Sequence, residues 1–210
     1  MKTLRMALLL LLISIPFRPA RAGDVPADAT EINPVLVGVE MPDLSLRRAD
    51  GTEVSLRQLI AGKPTVLVYY RGGWCPFCTR HLAALGRQQD ELRQLGFQII
   101  AVSADKPTKI RELDKERESD YLLLSDNTMA GARRLGIAFK VDDETVRRYK
   151  QKHGIDLERD SGLDHHQLPV PAVFVLDRKG TITFHYINPN YRVRLDGTVL
   201  TAAARAALAR

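Results

Sequence analysis

The chain has 210 residues, of which 45% are hydrophobic and 27% charged, and its formal net charge is +6. Residues 1–22 contain four basic and no acidic residues, so the formal charge of the remainder is only +2. This length and mixed charge predict one domain with a full hydrophobic core and exclude a nucleic-acid-binding footprint.

The first residues have the three parts of a cleavable signal peptide. Lys2 and Arg5 form a charged start, and residues 6–15 form an apolar run of ten residues, which is too short to span a bilayer. Ala20 and Ala22 are small residues at the two positions that a signal peptidase reads. We predict cleavage after Ala22, a periplasmic or secreted protein, and no stable membrane insertion after cleavage. An uncleaved anchor is the alternative.

Residues 23–34 are small and polar and predict a flexible leader, followed by a single domain over residues 35–210. The domain begins with alternating hydrophobic residues around an Asp-Gly turn, which indicate a β-hairpin, and continues into a short helix at 55–60. A β-branched and aromatic run at 65–70, bounded by glycine and proline, predicts a central strand.

Hydrophobic residues recur at helical spacing over residues 77–95, and Gly96 stands where a C-terminal cap belongs. The elements predicted next are a strand at 97–102, a helix at 107–118, a strand at 121–124 and a helix ending at 135. A polar stretch at 142–168 interrupts this alternation and predicts a helical insertion that ends in a loop.

The last part of the chain predicts a second hairpin and a closing helix. The hairpin has strands at 172–176 and 181–187, and the helix covers 198–208 with Thr198 as its N-cap. The order of elements predicts an α/β fold in which a central mixed β-sheet is flanked by helices.

Cys75 and Cys78 are the only cysteines of the chain and are separated by two residues. A structural disulfide usually joins distant segments, because its stabilisation grows with the size of the closed loop. This pair instead lies at a strand-to-helix turn, where unpaired N–H groups and the helix dipole lower the pKa of a thiol. Pro76 suits the first helical turn, and Arg71 and His81 add positive charge nearby. The spacing therefore predicts a redox-active pair.

Two other interpretations use the same residues. The cysteines could be buried free thiols, or they could bind zinc together with His81 or with the pair His165 and His166. The chain has no second cysteine pair to complete a zinc cluster. We therefore expect no metal and no cofactor, and keep a non-catalytic or metal-binding module as the last alternative.

Two segments of the sequence resemble a known family. Residues 68–78, which read Val-Tyr-Tyr-Arg-Gly-Gly-Trp-Cys-Pro-Phe-Cys, and residues 168–177 with Gly180 are similar to the peroxiredoxin-like branch of the alkyl hydroperoxide reductase and thiol-specific antioxidant (redoxin) family, in the thioredoxin superfamily. The resemblance covers about residues 35–208. It implies a thioredoxin-like fold and a thiol-dependent oxidoreductase. Its partners would be a protein dithiol or disulfide, or a peroxide, together with an external thiol as electron donor.

The peroxiredoxin pattern is Pro-x-x-x-Thr-x-x-Cys, in which the last cysteine attacks peroxide and a distant arginine stabilises its thiolate. The resemblance puts Cys78 at the attacking position, with Cys75 in place of the threonine and Arg71 in place of the proline. Pro171 stands where the arginine is expected. Cys78 would then be peroxidatic and Cys75 resolving, although these three departures argue against efficient peroxide reduction.

The thioredoxin pattern fits these residues better. Trp74 precedes the cysteine pair and would cover its disulfide, and Pro171 before a strand resembles the cis-proline that faces the disulfide in thioredoxins. Cys75 would then be the exposed attacking thiol and Cys78 the resolving thiol. We favour a thiol-disulfide oxidoreductase on this ground, with a thiol peroxidase as the alternative.

Four further residues are weaker candidates. His165 and His166 precede Pro171 and could act as proton shuttles near the sulfurs, although a solvated loop explains them as well. Tyr191 and Arg194 resemble a tyrosine-to-arginine element near the end of peroxiredoxin-like proteins. A surface ion pair would explain Arg194 equally.

Overall fold

The structure, a computed structural model, describes residues 25–115 and 121–209. The predicted signal peptide, residues 1–22, lies outside the described residues, and so does the last part of the helix predicted at 107–118. Within the described ranges no helix has the length and apolar character needed to cross a membrane.

The described residues form strands and helices in the predicted alternation. The strands are β1 (Ser45–Arg47), β2 (Glu53–Ser55), β3 (Thr65–Tyr70), β4 (Gln98–Ser103), β5 (Leu122–Ser125), β6 (Ala138–Lys140), β7 (Gln167–Pro169), β8 (Ala172–Leu176) and β9 (Ile182–Ile187). The helices are α1 (Leu56–Ile60), α2 (Pro76–Gln94), α3 (Pro107–Lys115), α4 (Ala130–Arg134), α5 (Asp143–His153), α6 (Leu157–Ser161) and α7 (Gly197–Leu208).

Seven strands form one mixed sheet in the order β2-β1-β5-β4-β3-β8-β9. The three strands β3, β4 and β5 pair in parallel, whereas β8 and β9 extend the sheet antiparallel on one side and the hairpin β1–β2 on the other. Helices cover both faces of this sheet, and the predicted thioredoxin-like α/β fold is confirmed.

Strand β3 lies at the centre of the sheet and is buried on both faces. Because strand side chains alternate between faces, Val66, Val68 and Tyr70 pack on the side of α2 and α7, while Leu67 and Tyr69 pack on the other side. The β3 strand therefore ends in the middle of the core, and the chain leaves it directly toward the cysteines.

The insertion is helical as predicted, but it has a feature that the sequence did not reveal. Strands β6 and β7 pair antiparallel as a separate two-stranded sheet, so that Phe139 faces Leu168. This pairing brings the two ends of the insertion together, with α5 and α6 between them.

Residues 25–34, which belong to the predicted leader, make contacts with the domain. The carbonyl of Pro26 accepts a hydrogen bond from the backbone N–H of Lys140 at 2.8 Å, and Val25 packs against the hydrophobic core. The N–H of Val35 donates to the carbonyl of Leu135 at 3.1 Å. These contacts attach this part of the leader to the domain.

Two local predictions were wrong. The Val170–Pro171 bond is trans, since none of the described peptide bonds is cis. The N–H of Val170 donates to Ile137 and continues the β6–β7 pairing, so the chain enters β8 in an extended path. The N-cap of α7 is Asp196 rather than Thr198, because the Asp196 carboxylate accepts the Thr198 N–H at 2.8 Å.

Candidate active site

The two cysteines lie at the start of α2, as the sequence predicted. Cys75 is the N-cap and Pro76 the first helical residue, where its missing N–H costs no hydrogen bond. The structure leaves Cys75 only 1% exposed and Cys78 0%, so the prediction of an exposed Cys75 was wrong. Both thiols pack into the hydrophobic cluster against α2 and α7, which closes them off from solvent.

The ionisation of the two thiols is linked. A hydrogen bond from the Cys78 thiol lowers the pKa of Cys75 from 9.0 to about 6, against the opposing effect of burial. The same hydrogen bond, together with burial, raises the pKa of Cys78. Two neighbouring sulfurs cannot both ionise readily because like charges repel, so the pair loses one proton near neutral pH and holds the other between the sulfurs.

Arg194 reaches the second sulfur from the far end of the chain. Its Nη2 donates to the Sγ of Cys78 at 3.3 Å. The Nε and Nη1 atoms of Arg194 are buried and have no hydrogen-bond partner among the described residues. The positive charge of the guanidinium favours a thiolate: it helps to lower the pKa of Cys75, and at Cys78 it opposes the larger rise in pKa caused by the hydrogen bond to Cys75 and by burial. Arg194 was a weak candidate in the sequence, and the structure places it at the centre of the site.

Arg71 is also buried, with 4% of its surface exposed. Its Nη2 donates to the hydroxyl of Tyr149 at 2.6 Å, and its guanidinium carbon lies 4.3 Å from the ring centroid of Tyr191. The ring of Trp74 is 5.1 Å away. The positive charge of Arg71 lowers the pKa of Cys75.

The segment between β9 and α7 covers the cysteines. The ring of Tyr191 packs edge-on against Phe77, the residue before Cys78, at a centroid distance of 5.6 Å. Tyr191 also contacts Arg71, and Arg194 follows it three residues later. The predicted tyrosine-to-arginine element is therefore one loop, which contacts Arg71 through Tyr191 and Cys78 through Arg194.

His81 lies on α2 one turn after Cys78 and is 7% exposed. Burial, and the nearby charge of Arg194, lower the pKa of His81 to about 4. Its Nε2 has no hydrogen-bond partner among the described residues. The imidazole is therefore neutral at physiological pH and adds no positive charge to the site, unlike the sequence-based expectation.

The remaining predicted candidates have other contacts. His165 Nε2 lies 2.8 Å from the carbonyl of Asn127, and His166 Nε2 lies 2.8 Å from a Glu158 carboxylate oxygen. In the described part of the chain no hydrogen bond joins either histidine to a sulfur. The carbonyl of Pro171 accepts the N–H of Asn188 at 3.3 Å. Across residues 25–115 and 121–209 no three metal-binding side chains cluster.

Sequence reasoning missed two residues of the site. Tyr149 lies in the insertion, and no motif in the sequence marked it as a residue of the site. Asp105 follows β4, and its Oδ2 accepts hydrogen bonds from the N–H of Gly73 at 2.8 Å and from the hydroxyl of Ser103 at 2.9 Å. The sequence could have predicted that Asp105 lies near the cysteines, because it follows a strand parallel to β3 and the carboxyl ends of parallel strands meet at one edge of a sheet.

Two relatives of known family are similar in sequence to this chain over part of its length. The chain is 27% identical over 147 residues to chloroplastic peroxiredoxin Q of Gentiana triflora, a match that covers 70% of this chain and 57% of that protein. It is 28% identical over 106 residues to peroxiredoxin Bcp of Escherichia coli K12, covering 50% of this chain and 67% of that protein. The match thus spans between about half and two thirds of these relatives' lengths.

Solved structures show the same fold. The crystal structure of peroxidoxin BcpB from Mycobacterium tuberculosis superposes with a TM-score of 0.61 at 21% identity, over 81% of this chain and 96% of that chain. The crystal structure of reduced Prx3 from Vibrio vulnificus superposes with a TM-score of 0.66 at 17% identity, over 81% of this chain and 99% of that chain. The family model for the AhpC/TSA family matches residues 37–185, and we conclude that the chain belongs to that family.

Proposed function

We propose that the protein is a thiol peroxidase, with Cys78 as the peroxidatic and Cys75 as the resolving thiol. The observation that carries this proposal is the 3.3 Å hydrogen bond from Arg194 Nη2 to the Sγ of Cys78. An arginine at this distance stabilises a thiolate, and the thiolate is the form that attacks. The family relatives named peroxiredoxin support the same assignment.

The burial of both sulfurs supports a small substrate. A protein disulfide must approach its attacking thiol closely, and neither Cys75 nor Cys78 is exposed by more than 1%. Hydrogen peroxide or an alkyl hydroperoxide needs far less space. We propose peroxides of this kind as the substrate class.

The reaction has three steps. The proton that the two sulfurs share moves from Cys78 to Cys75, and the resulting Cys78 thiolate attacks one peroxide oxygen. The S–O bond forms, the O–O bond breaks, and the other oxygen takes the proton from Cys75 and leaves as water or alcohol. Cys75 then attacks the sulfenic acid on Cys78, forming a disulfide and releasing water. Two equivalents of an external thiol reduce the disulfide and are themselves oxidised.

A thiol-disulfide oxidoreductase remains the second candidate. Cys75 is the N-cap of α2 and has a pKa of about 6, which is the property of an attacking thiol in such enzymes. This function predicts that purified protein reduces insulin and that Cys75→Ser abolishes the reduction. The burial of Cys75 disfavours it.

The decisive experiment combines stopped-flow kinetics with trapping of the sulfenic acid. We expect the wild-type protein to consume hydrogen peroxide or cumene hydroperoxide much faster than free cysteine does. In Cys75→Ser, which lacks the resolving thiol, dimedone should label Cys78, and Cys78→Ser should give no label. Consumption no faster than that of free cysteine would overturn the proposal.

We also propose that the protein works outside the cytoplasm, as a periplasmic or secreted enzyme. Support comes from the charged start, the short apolar run and the small residues before Gly23. Mass spectrometry of the protein purified from its native host should find Gly23 as the first residue. A mature chain that still carries residues 1–22 would contradict this proposal.

A further inference from the structure

Arg71 is a buried cation without a counter-ion. It is 4% exposed, and no carboxylate of the described residues forms an ion pair with it. Its Nε has no hydrogen-bond partner there, and its one hydrogen bond goes to the neutral hydroxyl of Tyr149. Burying an unpaired charge is costly, so such a group is retained where the charge itself has a use.

Three aromatic rings fix the position of this charge. The guanidinium carbon lies 4.3 Å from the ring centroid of Tyr191, 5.1 Å from that of Trp74 and 5.5 Å from that of Tyr149. Cation–π contacts offset part of the desolvation of the guanidinium without neutralising it. The rings come from three separate segments, so the charge is held in place from three sides.

The two sulfurs and the Asp105 carboxyl are the groups of this site that can carry a negative charge, and the Asp105 carboxylate accepts its hydrogen bonds from Gly73 and Ser103 instead of from Arg71. Arg71 stands four residues before Cys75 and contacts Trp74, the residue next to Cys75. The groups that shift the pKa of Cys75 are Cys78, Arg71 and Arg194, together with burial. Arg194 makes its hydrogen bond to Cys78. The Arg194 guanidinium therefore contacts Cys78 directly and also lowers the pKa of Cys75, whereas the Arg71 guanidinium acts on Cys75 through its charge.

We propose that Arg71 is a positioning residue for disulfide formation, because its guanidinium stabilises the Cys75 thiolate as that thiolate attacks oxidised Cys78. This inference rests on the proposed peroxidase function. In the step, the S–S bond forms as the S–O bond of the Cys78 sulfenic acid breaks, and the departing oxygen takes up a proton and leaves as water. Once Cys78 is oxidised it no longer supplies its thiol hydrogen bond to Cys75, so a fixed cation must hold the charge.

The test separates the two chemical steps in Arg71→Leu, Arg71→Lys and the control Arg80→Leu. Arg80 is an exposed arginine near the same cysteines, so Arg80→Leu tests whether the loss of any nearby positive charge slows disulfide formation. Sulfenic acid formation is followed by dimedone trapping, and disulfide formation by the fluorescence of Trp74, the only tryptophan.

For Arg71→Leu we expect disulfide formation to slow about tenfold at pH 7. This corresponds to a rise of about one in the pKa of Cys75 in the state in which Cys78 is oxidised, because that state lacks the Cys78 hydrogen bond that holds the pKa of Cys75 near 6. Sulfenic acid formation should change less than twofold. The slow step should recover at pH 9, and Arg71→Lys should recover part of it at pH 7. Arg80→Leu should match wild type. Equal slowing of both steps at every pH, or no slowing of disulfide formation, would overturn the inference.

A separate measurement keeps this test independent of the proposed function. If Cys75→Ser forms no sulfenic acid on Cys78, the peroxidase proposal fails, and Arg71 is tested by alkylation of Cys75 in the Cys78→Ala background. We expect Arg71→Leu to move the midpoint of the alkylation rate to higher pH in that background. An unchanged midpoint would show that Arg71 does not act on Cys75.

Discussion

Gly136 lies directly against the backbone carbonyl of Asn33, so closely that a Cβ on Gly136 would overlap the carbonyl oxygen. Gly136 has φ +68°, a conformation that residues with side chains rarely adopt. The contact joins the leader to the turn after α4 and complements the hydrogen bond between Val35 and Leu135. The first described residues are therefore part of the packed domain.

We expect Gly136→Ala to lower the free energy of unfolding by about 3 kcal/mol, through backbone strain and the overlap with Asn33. Gly154→Ala is the matched control: Gly154 has φ +65° but nothing within 4 Å of a built Cβ, so only the strain of about 1 kcal/mol applies. Urea denaturation of both variants measures the difference. Equal losses would show that the leader does not pack against Gly136.

Asp105 gives a pH-dependent prediction. Burial raises the pKa of Asp105 from 3.8 to about 6, so the folded protein keeps a proton that the unfolded chain has released. The free energy of unfolding therefore falls as the pH rises from about 4 to about 6. Asp105→Asn removes this contribution, and it should gain about 2 kcal/mol relative to wild type between pH 4.5 and pH 7.

Urea denaturation at several pH values tests this prediction. The control is Asp114→Asn, which changes an exposed carboxylate on α3 and should leave the pH dependence unchanged. If the difference between Asp105→Asn and wild type is the same at pH 4.5 and pH 7, Asp105 does not titrate as described.

Arg194 should control the first chemical step. We expect Arg194→Leu to reduce the second-order rate constant with hydrogen peroxide by about ten- to a hundredfold, the value of one hydrogen bond to a charged group. Arg192→Leu, an exposed arginine of the same loop, should react at the wild-type rate. Stopped-flow measurement at pH 7 compares them. If both variants lose the same activity, a general effect of charge on the loop is responsible.

The linked ionisation of the thiols predicts a specific pH profile. The alkylation rate of Cys75 should rise with pH and reach half its maximum near pH 6, the pKa to which the hydrogen bond from Cys78 lowers it. Cys78→Ala removes that hydrogen bond and should move the midpoint up, whereas Cys78→Ser keeps a hydroxyl donor and should move it less. A wild-type midpoint near 8.5, the value of an unperturbed thiol, would contradict the described pair.

The sequence predicted the local parts of the site well. The strand before the cysteines and the helix after them follow from hydrophobic periodicity, and the position of Cys75 at the helix start follows from Pro76. The order of strands could not be derived, because pairing between distant strands leaves no periodic signal in a single sequence.

The contacts that define the chemistry could not be predicted from the sequence for the same reason. Arg194 is 116 positions away from Cys78, and Tyr149 is 78 positions away from Arg71. Only the folded chain brings these pairs together. The sequence favoured the thioredoxin pattern because of Trp74 and Pro171, but spacing alone reveals neither the trans Val170–Pro171 bond nor the hydrogen bond from Arg194 to Cys78.

The short sheet formed by β6 and β7 closes the insertion into a module whose helices α5 and α6 leave the domain and return to it at one place beside β8. The module is packed on the main core through Leu157 and Tyr149. That module also supplies the hydroxyl of Tyr149 that holds Arg71. A segment outside the seven-stranded sheet thus contributes a residue to the site, and the β6–β7 pairing fixes the place at which that segment joins the domain.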